Sequence, residues 1–462
     1  MEYVDLKQFQ SIARQQIAAG NLDQPMVDIA NLVHAVVSQR SSEARVFSSP
    51  ELDALCEEIG LAARAIRAPY SESQDIPPNS CLFVATELYG NGGHTRVIED
   101  FIALSEDQTC AVIITNIHNR PEETFYVQKL LELGAKVLFC PALSISEKLF
   151  WLQNKITALN PQRIYYFIHF WDVIAVAAAM EIRRGTGYFF HHADHNLTLG
   201  VHTPGMQHID CHTAGFSICR HGLKIAGNKY WPLSAIDHGI RSENSFFLRG
   251  ALTTACSGAL IKFLPALPYP VNYFRLIPKL LQQTRGFHVH FGGLTQDILA
   301  EMQASLASHG VTPDKFIYVP WVPSLWKAMS DYGVDAYLNS FPMVGGKAII
   351  EIMGSGTPAL VHQGSYPKLL SGLFIQYPEV MQWRDEAELY SILESCKRPE
   401  LLQQHRLWAR DHYNKHHRPE QLAALMRHTD LIHTETEKLT QSPLVPMDLQ
   451  EFLFLEGSKV SG

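Results

Sequence analysis

Residues 334–361, VDAYLNSFPMVGGKAIIEIMGSGTPALV, read as a strand, a glycine loop, a helix, a Gly-Ser-Gly-Thr-Pro turn and a second strand. The apolar run 336–338 and the run 359–361 have strand length. The stretch between them carries apolar residues at helical spacing (Ile349, Ile350, Met353). A strand, a helix and a strand in that order make a unit of parallel sheet. Gly345 and Gly346 let backbone approach a ligand closely, and a helix starting there offers unpaired N–H groups and a positive dipole end to a diphosphate. Lys347 adds a charge at that end, and Glu351 follows one turn later, where a carboxylate can accept hydrogen bonds from ribose hydroxyls.

Working outward, the same alternation fills most of the 462 residues. Strands are expected at 81–86, 111–115, 136–139, 164–168 and 188–191, and the pattern restarts with 252–255, 288–291, 316–319, 336–338 and 359–361. Two α/β domains in tandem follow, at 80–240 and 248–416. Residues 231–247 form the crossing stretch, and the substrates are expected in a cleft between the domains. Before them, apolar residues at helical spacing (Leu6, Phe9, Ala13, Ile17, then Ile29, Leu32, Val33, Val36) predict a helical prefix over 1–68, and 70–79, with two prolines, reads as a linker. A C-terminal helix is expected over 417–440, and 441–462 reads as a poorly structured tail.

Bulk composition narrows the function classes. With 46 acidic and 38 basic residues the chain carries a formal charge of -8, which gives no basic face for nucleic acid. The polar start MEYVDLKQFQ has no secretory-signal pattern, and the apolar stretch 164–180 is interrupted by His169 and Asp172, so the expected location is cytoplasmic. Contact with the inner face of the membrane and homo-oligomer formation stay open. The eight cysteines lack paired CxxC spacing and read as reduced, buried thiols.

The segment around Glu351, with Gly356-Thr357-Pro358 after it, resembles the donor-binding signature of GT-B fold glycosyltransferases. Glu351 fits the second acid of the family 4 motif. The first acid would fall at 343, where the chain has Met343. The Gly-Gly-Lys loop is also similar to that of the O-GlcNAc transferase and bacterial protein N-glycosyltransferase family. The two resemblances agree on a nucleotide-sugar donor, UDP- or GDP-linked, and differ on retention or inversion. They imply a GT-B fold of two Rossmann-like domains and transfer of a sugar to a glycan, lipid-linked or protein acceptor. They also imply donor roles for Ser257, Lys262, Gly292 and Val322, with Lys262 on the phosphates.

In the first domain, Gly92, Gly93, His94 and Arg96 end a strand and open a helix, and the resemblance puts them with His169 on the acceptor or sugar side. The spacing departs from GxGxxG, and Thr115-Asn116 stand where a dinucleotide-binding acid would. At 189–196, FFHHADHN, Asp194 or His195 is a candidate general base, beside His94. A zinc site drawing on His191, His192, Asp194, His195, Cys211 and His212 is the rival reading. Adjacent strand residues point to opposite faces, so no metal is expected. No cofactor is expected either, since helix amides and a lysine can neutralise a leaving diphosphate without a cation. A sugar-nucleotide 2-epimerase of the same fold and a non-catalytic carbohydrate-binding protein are the alternatives.

Overall fold

Largely apolar runs buried on both faces build most of the inner strands, because the middle of a parallel sheet is covered by helices above and below. The computed structural model describes residues 4–66, 80–90, 93–106, 109–182, 186–264, 269–364 and 368–460. The expected linker at 70–79, and Gly92, lie outside them.

The chain divides into two units, Met1–Trp231 with Leu425–Gly462, and Pro232–Ala424. In the first unit, helices α1 (Leu6–Ala18), α2 (Asp23–Val37) and α3 (Pro50–Ile66) precede β1 (Ser80–Ala85). There follow α4 (Gly93–Leu104), β2 (Thr109–Ile114), α5 (Gln128–Glu132), β3 (Lys136–Phe139), α6 (Ile145–Leu159), β4 (Arg163–Phe167), α7 (Val173–Ala178), β5 (Thr186–His191), β6 (Met206–Asp210), α8 (Thr213–Ser217) and β7 (Lys229–Tyr230). The strands form one parallel sheet in the order β3-β2-β1-β4-β5-β6-β7.

The second unit repeats the plan. It runs β8 (Thr253–Ser257), α9 (Tyr273–Thr284), β9 (Phe287–Phe291), α10 (Gln296–Ser308), β10 (Phe316–Val319), α11 (Leu325–Asp331), β11 (Ala336–Leu338), α12 (Gly346–Ser355), β12 (Ala359–His362), β13 (Met381–Trp383), α13 (Glu386–Ser395) and α14 (Pro399–His416). Its sheet order is β10-β9-β8-β11-β12-β13, again parallel. In both sheets the order reverses beside the first strand, between β1 and β4 and between β8 and β11. Ligands of doubly wound sheets bind beyond the carboxyl ends of strands at that point.

The structure revises the expected boundaries in two places. The helical prefix shares one apolar core with the first sheet: Met26, Ile29 and Val33 of α2 and Leu55 and Ile59 of α3 lie in the same cluster as Leu82, Val84 and Ile164. Asp53 of α3 accepts the backbone N–H groups of Gly200 (2.7 Å) and His202 (2.8 Å), which ties the prefix to the loop after β5. The tail also folds. Leu449–Val460 is a helix whose Leu449, Phe452 and Leu453 are fully buried in that core, and Gln450 Oε1 accepts the Leu6 N–H at 2.7 Å. Prolines 443 and 446 masked a short i, i+3, i+4 apolar pattern.

Candidate functional site

In the second unit the residues named from sequence gather at the carboxyl ends of β8, β9 and β11. Ser257 closes β8 and its hydroxyl lies 2.5 Å from the Tyr337 hydroxyl of β11. After it the backbone turns through Gly258 into a short 3-10 turn, Leu260–Phe263, that carries Lys262. Gly292 follows β9 with φ +129°, and a Cβ there would stand 2.2 Å from the Gly258 carbonyl oxygen. Only glycine lets these two loops touch.

Lys262 is aimed at the start of α12. Its ammonium occupies the space that a Cβ on Gly345 would meet at 2.5 Å. Gly345 is the N-cap of α12 and supplies no side-chain cap. The Lys262 Nζ has no hydrogen-bond partner among the described residues, and burial lowers its pKa. An uncapped helix start with an unsatisfied ammonium over it is an anion-binding arrangement.

Lys347 and Glu351 are engaged differently from the sequence expectation. Lys347 Nζ donates to the Ser234 carbonyl, which anchors the stretch after residue 231. Glu351 is half-buried, and its Oε2 accepts the backbone N–H of Trp326 at 2.9 Å, in the first turn of α11. The indole N–H of Trp326 donates in turn to the Gly239 carbonyl (2.8 Å). Val322 is half-buried in the loop after β10, and its neighbour Trp321 is 52% exposed.

Sequence reading missed Asn339. It follows β11 beside the point where the strand order reverses, is 2% exposed, and leaves both its amide oxygen and its amide nitrogen without a partner. An unpaired buried amide is costly, so a ligand at this edge has a donor and an acceptor waiting. The signal available in the sequence was its place directly after a strand next to the glycine loop.

In the first unit, three histidines meet at the carboxyl ends of β1, β4 and β5. The His94 ring lies 4.5 Å from His192 and 5.6 Å from His169, centre to centre, and Tyr89 stacks on His169 at 5.8 Å. His94 Nε2 is 3.0 Å from the Phe167 carbonyl and must carry the proton; Nδ1 is then a bare lone pair, buried and unpartnered. Burial and the neighbouring His169 push the His94 pKa down to about 3, and burial pushes His169 down to about 4. Both rings are neutral near pH 7. Gly93 opens α4 and Arg96 pairs with Glu99 at 2.8 Å. Glu87, buried at the end of β1, accepts from Tyr89 (2.6 Å) and Arg120 (3.0 Å), another site residue that sequence reading left unassigned.

Asp194 and His195 are not drawn into that group. Asp194 pairs with His212 at 2.6 Å, and this partner holds its carboxyl below the usual range despite burial, which acts the other way. His195 lies edge-on to Phe170, and its carbonyl accepts the Ala44 N–H at 2.7 Å. Asp172 bridges three strand ends, accepting from Thr86 and Thr115 at 2.6 Å each, and caps α7 through the Ala175 N–H.

No protein-family model and no curated protein matches the chain by sequence. Among solved structures it is similar to the HepE protein of Anabaena in complex with UDP and glucose, with a TM-score of 0.54 and 13% identity over 76% of this chain and 98% of that one. It is also similar to a glycosyltransferase from Rickettsia africae (0.56, 10%, covering 79% and 100%) and to MurG of Acinetobacter baumannii (0.52, 13%, covering 76% and 98%). At these identities the likeness carries architecture, and with the two reversing parallel sheets it establishes that the chain has the GT-B fold of glycosyltransferases.

Proposed function

We propose that the protein is a glycosyltransferase that takes a sugar from a UDP- or GDP-linked donor bound on the second unit and passes it to a glycan, lipid-linked sugar or protein acceptor. The observation that carries this reading is the Lys262 ammonium over the uncapped start of α12. That pair of positive ends suits a nucleoside diphosphate and stabilises the charge that grows on it as the sugar departs. Glu351 holds the ribose hydroxyls with the carboxylate oxygen that Trp326 leaves free. Asn339 and Ser257, at the ends of the two strands flanking the reversal, orient the donor. HepE, solved with UDP and glucose and with UDP-glucose, supports the choice of donor class.

On the first unit, the bare His94 Nδ1 lone pair accepts a hydrogen bond from the acceptor hydroxyl and orients it, a positioning role for which Asp194 and His195 are engaged elsewhere. Calorimetry with UDP and GDP, followed by incubation with labelled nucleotide-sugars and a panel of acceptors, tests the proposal. Binding of one nucleotide and label transfer to an acceptor are expected. An epimerised donor with no transfer, or failure to bind either nucleotide, would overturn it.

A further inference from the structure

β5 and β6 run parallel with Phe189 opposite His208 and His191 opposite Asp210. Residues two apart on a strand share a face, so the register delivers His191, His208 and Asp210 to one side of the sheet while His192 goes to the other, beside His94. Beyond α8 the backbone widens into a π turn over Ile218–Gly222, a feature often found at functional sites, and this turn brings in Cys219. All four side chains are buried, none more than 4% exposed.

Their ligand atoms converge. His208 Nε2 lies 3.1 Å and His191 Nδ1 3.8 Å from Asp210 Oδ1; Cys219 Sγ is 3.4 Å from His191 Nδ1. The four ligand atoms all fall within 4.8 Å of one another. A tetrahedral zinc ion with ordinary bond lengths spaces neighbouring nitrogen, oxygen and sulfur ligands by about 3.3 to 3.7 Å. Small side-chain shifts would close the set on an ion.

Charge points the same way. No lysine or arginine pairs with Asp210 among the described residues, and its second oxygen is held by the Asn228 amide at 2.6 Å. A buried carboxylate with no countercharge is strongly unfavourable. A divalent cation bound by the Asp210 carboxylate, the Cys219 thiolate and two neutral imidazoles leaves the core electrically neutral. Asn228 then acts as the outer-sphere support that fixes a ligating carboxylate.

We propose that His191, His208, Asp210 and Cys219 form a closed structural site for a divalent cation of the zinc class. Binding releases the Cys219 thiol proton to solvent as the sulfur coordinates, with no change of oxidation state. All four ligands come from the protein, so the site has no open position for water or substrate and is separate from the proposed glycosyl transfer.

The test is metal analysis and cobalt substitution of the full chain. The expected result is about one zinc per chain after gel filtration. The cobalt form should show tetrahedral d–d absorption with a thiolate-to-cobalt charge-transfer band that Cys219→Ser removes and Cys396→Ser keeps. Should Cys219→Ser fail to fold, the wild-type zinc content and the sulfur band decide alone. Folded wild-type protein that takes up no zinc, or a cobalt form without a sulfur band, overturns the site.

Discussion

The Lys262 ammonium stands 2.5 Å from where a Cβ of Gly345 would be. The missing side chain is thus the space in which the ammonium reaches the first amides of α12. Removing the charge with Lys262→Ala should weaken UDP or GDP binding about 10- to 100-fold, the scale of a lost hydrogen bond to a charged group. Gly345→Ala should weaken it in the same direction by displacing the ammonium. Titration calorimetry of both variants checks this, and nucleotide affinity unchanged in both would remove the site's central feature.

Glu351 has a packing role and a proposed binding role, and they separate experimentally. The carboxylate already accepts the Trp326 N–H, so Glu351→Ala should lower stability by about 1 to 3 kcal/mol whatever else it does. A ribose contact adds a second signature: the wild type should prefer UDP or GDP over the 2′,3′-dideoxy nucleotide, and Glu351→Gln should narrow that preference about tenfold. Equal discrimination in wild type and variant would confine Glu351 to holding α11 against α12.

His94 makes a prediction about pH as well as rate. With a pKa of about 3 its ring stays neutral throughout the working range, so kcat/KM should show no acid limb near the ordinary histidine value of about 6.5. His94→Ala should lower kcat/KM for the acceptor about tenfold, the scale of one lost hydrogen bond, while leaving nucleotide affinity unchanged. A limb near neutrality that vanishes in His94→Gln would contradict the neutral-ring assignment.

The pattern of legible and illegible features follows from what is local. Strands 136–139, 316–319 and 336–338 were readable to the residue, because each is a short, mostly apolar run bounded by glycine, proline or polar residues, although only 336–338 is fully buried. β6 escaped notice because its buried face is made of His208 and Asp210, which read as polar loop, and β7 and β13 span only two and three residues. The glycine loop and Lys262 could be named because close approach demands glycine. The pairing of Asp194 with His212, the meeting of His191 with Cys219, and the empty amide of Asn339 depend on register between distant segments. No spacing within one segment encodes them.

Asp53 links pH to the attachment of the helical prefix. It is 3% exposed, and burial raises its pKa to about 7 even though the Gly200 and His202 N–H groups favour the charged form. An unfolded aspartate titrates near 4, so between about pH 4 and 7 the folded state binds more protons than the unfolded one. Stability from this group is therefore complete below about pH 4, declines as pH rises, and is gone above about 7. Asp53→Asn keeps one acceptor oxygen for the two N–H groups and removes the titration. Thermal melts across this range should show the wild type losing stability relative to Asp53→Asn as pH rises, with the difference levelling off above pH 7. Parallel curves for the two proteins would mean that Asp53 is ionised in the folded chain at all these pH values.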